Sequence, residues 1–153
     1  MLLEHLSREK AEAYVGKEPY GVISITDPDG PEAKLQEDPN RLAVLRLAFH
    51  DCTQTPEEFE ALLRQAEPPA DLEAPRKWVL PTEEHAREIV RFFREVQPRI
   101  QKLVIHCEAG ISRSAGVGAA LAHCLGQTDV HFYDHGIPNH RVRRLVIEAW
   151  ERE

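Results

Sequence analysis

Apolar residues along this chain follow two spacings. Tyr20-Gly21-Val22-Ile23-Ser24-Ile25, Leu42 to Phe49 and Leu103-Val104-Ile105 are short apolar runs that predict strands. Elsewhere the spacing widens to three and four. Residues 82–96 place Ala86, Ile89, Val90, Phe93 and Val96 on one face, with Thr82 as a cap, Glu83 and Glu84 in the first turn, and Pro98 as the stop. Residues 140–152 repeat the pattern with Val142, Leu145, Val146, Ala149 and Trp150 behind a capping Asn139. A shorter helix is predicted over 7–14, with Ser7 as its cap. Another starts at Thr55-Pro56-Glu57-Glu58, where Phe59, Leu62, Leu63 and Ala66 follow at helical spacing. Residues 113–125, dense in Ala and Gly, predict a helix that packs closely and ends at Gly126.

The punctuation between these elements is clear. Thr26-Asp27-Pro28-Asp29-Gly30 is a turn signal, 31–41 read as polar loop, and 129–137 as a polar connection. A helical and proline-rich insertion occupies about 52–81 and ends in Pro68 to Pro75. Alternating strands and helices predict an α/β fold: a short, largely parallel central sheet flanked by helices on both faces, in one domain over 1–153. Open sheets of this kind place ligands at the carboxyl ends of their strands.

The strand 103–105 runs into a loop holding Cys107, Gly110 and Arg113 and then into a helix N-terminus. Such a loop offers inward-pointing N–H groups, and the helix dipole adds partial positive charge, so it suits an anion. A thiol in these surroundings is favoured as thiolate. Arg113 can bind two oxygens of a phosphate at once, as a lysine cannot. Gly110 permits backbone angles that a side chain would forbid. Ser114 can donate a hydrogen bond to the sulfur, and His106 reads as a support for the loop rather than a base.

His106 to Ser114, HCEAGISRS, resembles the H-C-x-x-G-x-x-R-[S/T] signature of the cysteine-dependent protein tyrosine and dual-specificity phosphatases. The likeness is specific over about 98–125 and looser over 42–97, and PNHRVRRLVIEAW resembles the closing helix of small bacterial members. It implies the cysteine-phosphatase fold and hydrolysis of a phosphomonoester through a phosphocysteine on Cys107, without metal or cofactor. The loop Glu108, Ala109, Gly110, Ile111, Ser112 and Arg113 would bind the phosphate, and Ser114 would help the sulfur leave.

Such a reaction needs a carboxylic acid near the leaving oxygen. LRLAFHDCT resembles the segment that carries it, which makes Asp51 the candidate, although in compact members acid and cysteine lie nearer in sequence. Asp71, in the proline-rich loop, is the competing acid, and that loop could also help choose the substrate. Cys52 is either an ordinary half-buried cysteine or a thiol able to trap an oxidised Cys107. His50 has no assignment. Asp27 and Asp29 read as turn carboxylates, Asp134 and His135 as turn residues, Trp78 as an anchor and Cys124 as core. His85 with Arg87, Arg91 and Arg94, and likewise Arg141, Arg143 and Arg144, read as solvated faces.

Composition narrows the partners. Net charge is −7, with 26 acidic against 19 basic residues, which argues against a general nucleic-acid or membrane binder. Three cysteines without C-x-x-C spacing suggest neither a disulfide framework nor a zinc site, and fit a reducing, cytoplasmic setting. The start MLLEHLSREKAE is too charged for a signal peptide, and no apolar run approaches ~18 residues. The expected partner is a phosphorylated substrate; whether protein, lipid, nucleotide or RNA end stays open. A silent phosphate-binding module, a sulfurtransferase or arsenate reductase, and a regulatory interaction protein are the alternatives.

Overall fold

The computed structural model describes residues 1–65 and 78–153. Its strands are β1 (Leu2–Leu6), β2 (Tyr20–Thr26), β3 (Arg41–Ala48) and β4 (Lys102–His106). Its helices are α1 (Arg8–Ala13), α2 (Pro56–Gln65), α3 (Glu83–Val96), α4 (Arg113–Cys124), α5 (Val130–Asp134) and α6 (His140–Arg152). A single 3-10 turn, Gln97–Arg99, follows α3.

The four described strands form one parallel sheet in the order β1-β4-β2-β3. Its register sets Leu3 beside Leu103, Ile23 beside Ile105 and Ile25 beside Leu47. Alternate residues therefore serve opposite faces. Ile23, Ile25, Leu103 and Ile105 enter the large core with Phe93 and Val90 of α3, Leu121 of α4 and Val146 of α6. Burying each of these side chains contributes roughly 1.5–3 kcal/mol before entropy is counted. Tyr20, Val22 and Val104 face the other way, where Tyr14 and Leu35 cover them. Helices thus lie on both faces, but unequally: α3, α4 and α6 on one, short α1 with the 31–40 loop on the other.

The caps form as the sequence implies. Ser7 accepts from Lys10 N, and Asn139 accepts from Val142 N. Thr82 forms a capping box in which His85 occupies the third position. His85 is therefore not part of a solvated face: its ring caps α3 and lies 4.9 Å from Phe49. Arg94 stacks 4.3 Å above Trp150, and Arg141 is buried with Nη2 donating to Pro81 O. These two arginines leave the faces assigned to them because each finds backbone carbonyls of a neighbouring segment.

Two further corrections concern whole elements. β1 is a strand the pattern hid, because Glu4 and His5 interrupt its apolar run. It needs only one partner, β4, and its Glu4 pairs with Lys102. The stretch 129–137 contains α5 rather than connection alone, anchored by Phe132, whose ring occupies the space where a Cβ on Gly118 would stand. Helix α2 forms, yet it buries none of its residues. The proline-rich run 68–75, Asp71 included, lies outside the described residues. No described helix is long and apolar enough to cross a membrane.

Candidate active site

The loop from Cys107 to Arg113 leaves the carboxyl end of β4 and enters α4. Its peptide carbonyls are held from outside. Arg8 N donates to Glu108 O, Ile137 N to Ile111 O and Asn139 N to Ser112 O. The ring nitrogens Nδ1 of His106 and His5 meet Cys107 O at 3.1 Å and Gly110 O at 2.7 Å. In a planar trans peptide the N–H points opposite to the C=O. Fixing these carbonyls outward turns the N–H groups of 108, 109, 111, 112 and 113 toward the opposite side. Among the described residues none of them donates to a protein group. The result is a bowl of amide hydrogens at a helix start, built for an anion.

Cys107 sits in this bowl, 2% exposed. Its Sγ accepts from Gly110 N at 3.3 Å and lies 3.2 Å from Ser114 Oγ. Gly110 is left-handed, φ +75°, and a Cβ there would come within 2.4 Å of Ser7 N. Only glycine meets both demands, so β1 and α1 can close against the loop.

Arg113 is 5% exposed, and its Nη1 donates to Asp27 Oδ1 and to Phe49 O, each at 2.8 Å. Asp27 is therefore more than a turn carboxylate. It follows β2 directly and holds the guanidinium from the side, while Phe49, the residue after β3, supplies the carbonyl. Nε and Nη2 donate to no described protein group, which leaves an edge of the fork for a ligand.

Asp51 follows β3 and is exposed. Its Oδ1 accepts from Ser112 Oγ at 2.8 Å and from Asn139 Nδ2 at 2.8 Å. The carboxyl is thus tied to the rim of the loop through Oδ1. Asn139 does more than the cap expected of it: Oδ1 caps α6 while Nδ2 reaches both Asp51 and Cys52 O. His50 clamps the segment returning from the insertion, because Val79 N donates to its Nδ1 and its own N donates to Val79 O. Nε2 then carries the ring proton and lies 3.4 Å from Asp29. Trp78 packs against His50 and Phe59, an anchor as expected. Cys52 is buried and Cys124 half-buried, with burial pushing the Cys124 thiol up.

Three solved structures share this architecture over nearly the whole chain. The human tyrosine phosphatase-like serine/threonine/tyrosine-interacting protein matches at TM-score 0.55 and 14% identity, covering 98% of this chain and 89% of its own. Human DUSP28 matches at 0.53 and 13%, covering 98% and 92%, and PTPMT1 at 0.51 and 18%, covering 99% and 90%. The chain has the cysteine-phosphatase fold. No family model and no curated protein matches it in sequence. Identities this low speak for the fold alone, and a phosphatase-like interacting protein stands among the matches. Chemistry must therefore be argued from the side chains that this phosphatase-fold chain itself presents.

His106 illustrates how they are held. It is fully buried, and its Nε2 lies 2.6 Å from Ser24 Oγ. Since a carbonyl can only accept, Nδ1 carries the proton toward Cys107 O and Nε2 accepts from Ser24. Burial lowers the pKa of His106, and likewise of His5 and His85, so the rings are kept neutral in the fold. Unfolded, these rings take up protons below about pH 6.5. Their contribution to stability is complete above that value and is lost as pH falls toward the lowered folded values. For buried His106 the loss reaches at most about 1.4 kcal/mol per pH unit. The urea midpoint should therefore drop between about pH 7.5 and pH 5.5. An unchanged midpoint would contradict neutral buried imidazoles.

Proposed function

We propose that the chain is a metal-independent phosphomonoester hydrolase of the protein tyrosine or dual-specificity type. The observation that carries this reading is the position of Cys107 Sγ, beside Ser114 Oγ and Gly110 N, inside a loop whose free amides and Arg113 favour a tetrahedral anion. Cys107 as thiolate attacks phosphorus in line, and the bond to the leaving oxygen breaks. The amides of 108–113 and the unspent edge of Arg113 take the equatorial oxygens as charge grows on them. Asp51, protonated, gives its proton to the departing oxygen. The same carboxylate then draws a proton from water, which attacks the phosphocysteine, and Ser114 donates to the departing sulfur.

Hydrolysis of 4-nitrophenyl phosphate in EDTA is the direct test. Turnover should be blocked by vanadate and by alkylation of Cys107, and inorganic phosphate should protect against the alkylation. Activity that survives alkylation would reject the proposal.

Asp51→Asn should lower kcat by about 10²–10⁴-fold, the usual worth of a positioned acid or base. Alkyl phosphates should suffer more than 4-nitrophenyl phosphate in the first step, since nitrophenolate leaves without a proton. A near-normal rate on alkyl esters would move the acid to Asp71 or elsewhere.

A further inference from the structure

A second cleft, of about 520 Å3, opens on the far side of the phosphate loop. Ala109, Gly110 and Ile111 line it from the loop, so this short stretch of backbone is a wall common to the cleft and the bowl. Its other walls bring His5 from β1, Lys10 from α1, and His131 and His135 from α5 with its C-cap. The rings form a chain: His5 to His131 at 5.4 Å and His131 to His135 at 5.1 Å between centroids.

The chemistry of this lining is one-sided. Glu4 is the sole carboxylate among the residues forming it, and Lys102 already pairs with it. Lys10 and the two exposed histidines, by contrast, have no ion-pair partner among the described residues. No described group of three or more histidine, cysteine or acidic side chains is arranged to hold a metal ion. What remains is a set of N–H donors and a fixed ammonium on a chain whose net charge is −7. His5 is already committed to Gly110 O, which leaves Lys10, His131 and His135 to meet a ligand.

We infer that this cleft is a second anion subsite, and that the substrate carries another phosphoryl group near the one cleaved. The scissile phosphate enters the bowl, the chain between the groups crosses the rim at 109–111, and the second phosphate lies against Lys10, His131 and His135. This rests on the reading of 107–113 as a phosphate-ester site and adds the class of ester. None of the three side chains touches Cys107, Arg113 or Asp51 in any recorded contact, so they act on recognition and not on chemistry.

The test uses full-length Cys107→Ser protein and calorimetry. Alkanediol bisphosphates of increasing spacer length are compared with the matching alkyl monophosphates. The best bisphosphate should bind ~10-fold or more tightly, beyond the statistical factor for two equivalent groups. Combining Lys10→Ala, His131→Ala and His135→Ala should erase that advantage and leave monophosphate affinity as it was. With Cys107 intact, the triple variant should keep its kcat on 4-nitrophenyl phosphate. Equal affinity for the two ligand series, or an advantage that persists in the triple variant, overturns the subsite. Because this readout is binding, it separates the claims: tight bisphosphate binding without turnover by the wild type rejects the phosphatase reading alone, and turnover without the advantage rejects the subsite alone.

Discussion

Cys107→Ser is expected to lower kcat by ~10⁴-fold or more, at least about 5 kcal/mol on the barrier, with fold and phosphate affinity retained. The reason lies in what surrounds the sulfur. A thiol can be held as an anion by Gly110 N and Ser114 Oγ, but a serine hydroxyl gives up its proton far less readily and needs a base. None is placed to serve. Both ring nitrogens of His106 are committed, to Ser24 and to Cys107 O. Asp51 enters this first step as the acid, its proton meant for the leaving oxygen, so it does not serve as a base for the nucleophile. Swapping sulfur for oxygen keeps the volume nearly constant, so the bowl should persist. Steady-state rates, with calorimetric titration of inorganic phosphate, check both halves. A variant with a tenth or so of wild-type kcat would mean that Cys107 is not the attacking group.

Arg113→Lys is expected to reduce kcat/KM by ~10³-fold although the charge is kept. Arg113 does two things at once: Nη1 binds Asp27 and Phe49 O, while the rest of the fork is left for oxygens of the substrate. A single ammonium cannot hold the side anchors and a bidentate ligand together. Asp27→Asn should give a smaller loss of the same kind, felt mainly in kcat, because it loosens the guanidinium without removing it. Kinetics on one aryl phosphate, with thermal midpoints as controls, separate the two. If the lysine variant were within a few-fold of wild type, charge alone would suffice and the fork would have no part.

What the sequence could announce was whatever is local. β2, β3 and β4 show as apolar runs, and α3 and α6 show because heptad-like spacing and capping residues lie within a few positions of each other. The bowl was readable for the same reason, since its thiol, glycine and guanidinium lie within seven consecutive residues. The groups that aim those residues are remote. Arg113 and Asp27 are 86 positions apart, Asn139 and Asp51 88, His5 and Gly110 105. An aspartate before proline in a turn signal gives no hint that a guanidinium will arrive from α4. β1 hid for a related reason: a five-residue edge strand draws its definition from β4 rather than from its own alternation. α5 is decided by Gly118 making room for Phe132, a contact with no sequence signature.

The central claim is that the phosphoryl group passes through Cys107. Asp51→Asn protein mixed with 4-nitrophenyl phosphate offers the sharpest view, because nitrophenolate leaves unaided while water is no longer activated. Rapid quenching followed by peptide mass spectrometry should find one phosphoryl group on Cys107, formed at the rate of the nitrophenolate burst. A burst with the phosphoryl group on another residue, or steady release with Cys107 never modified, would contradict it.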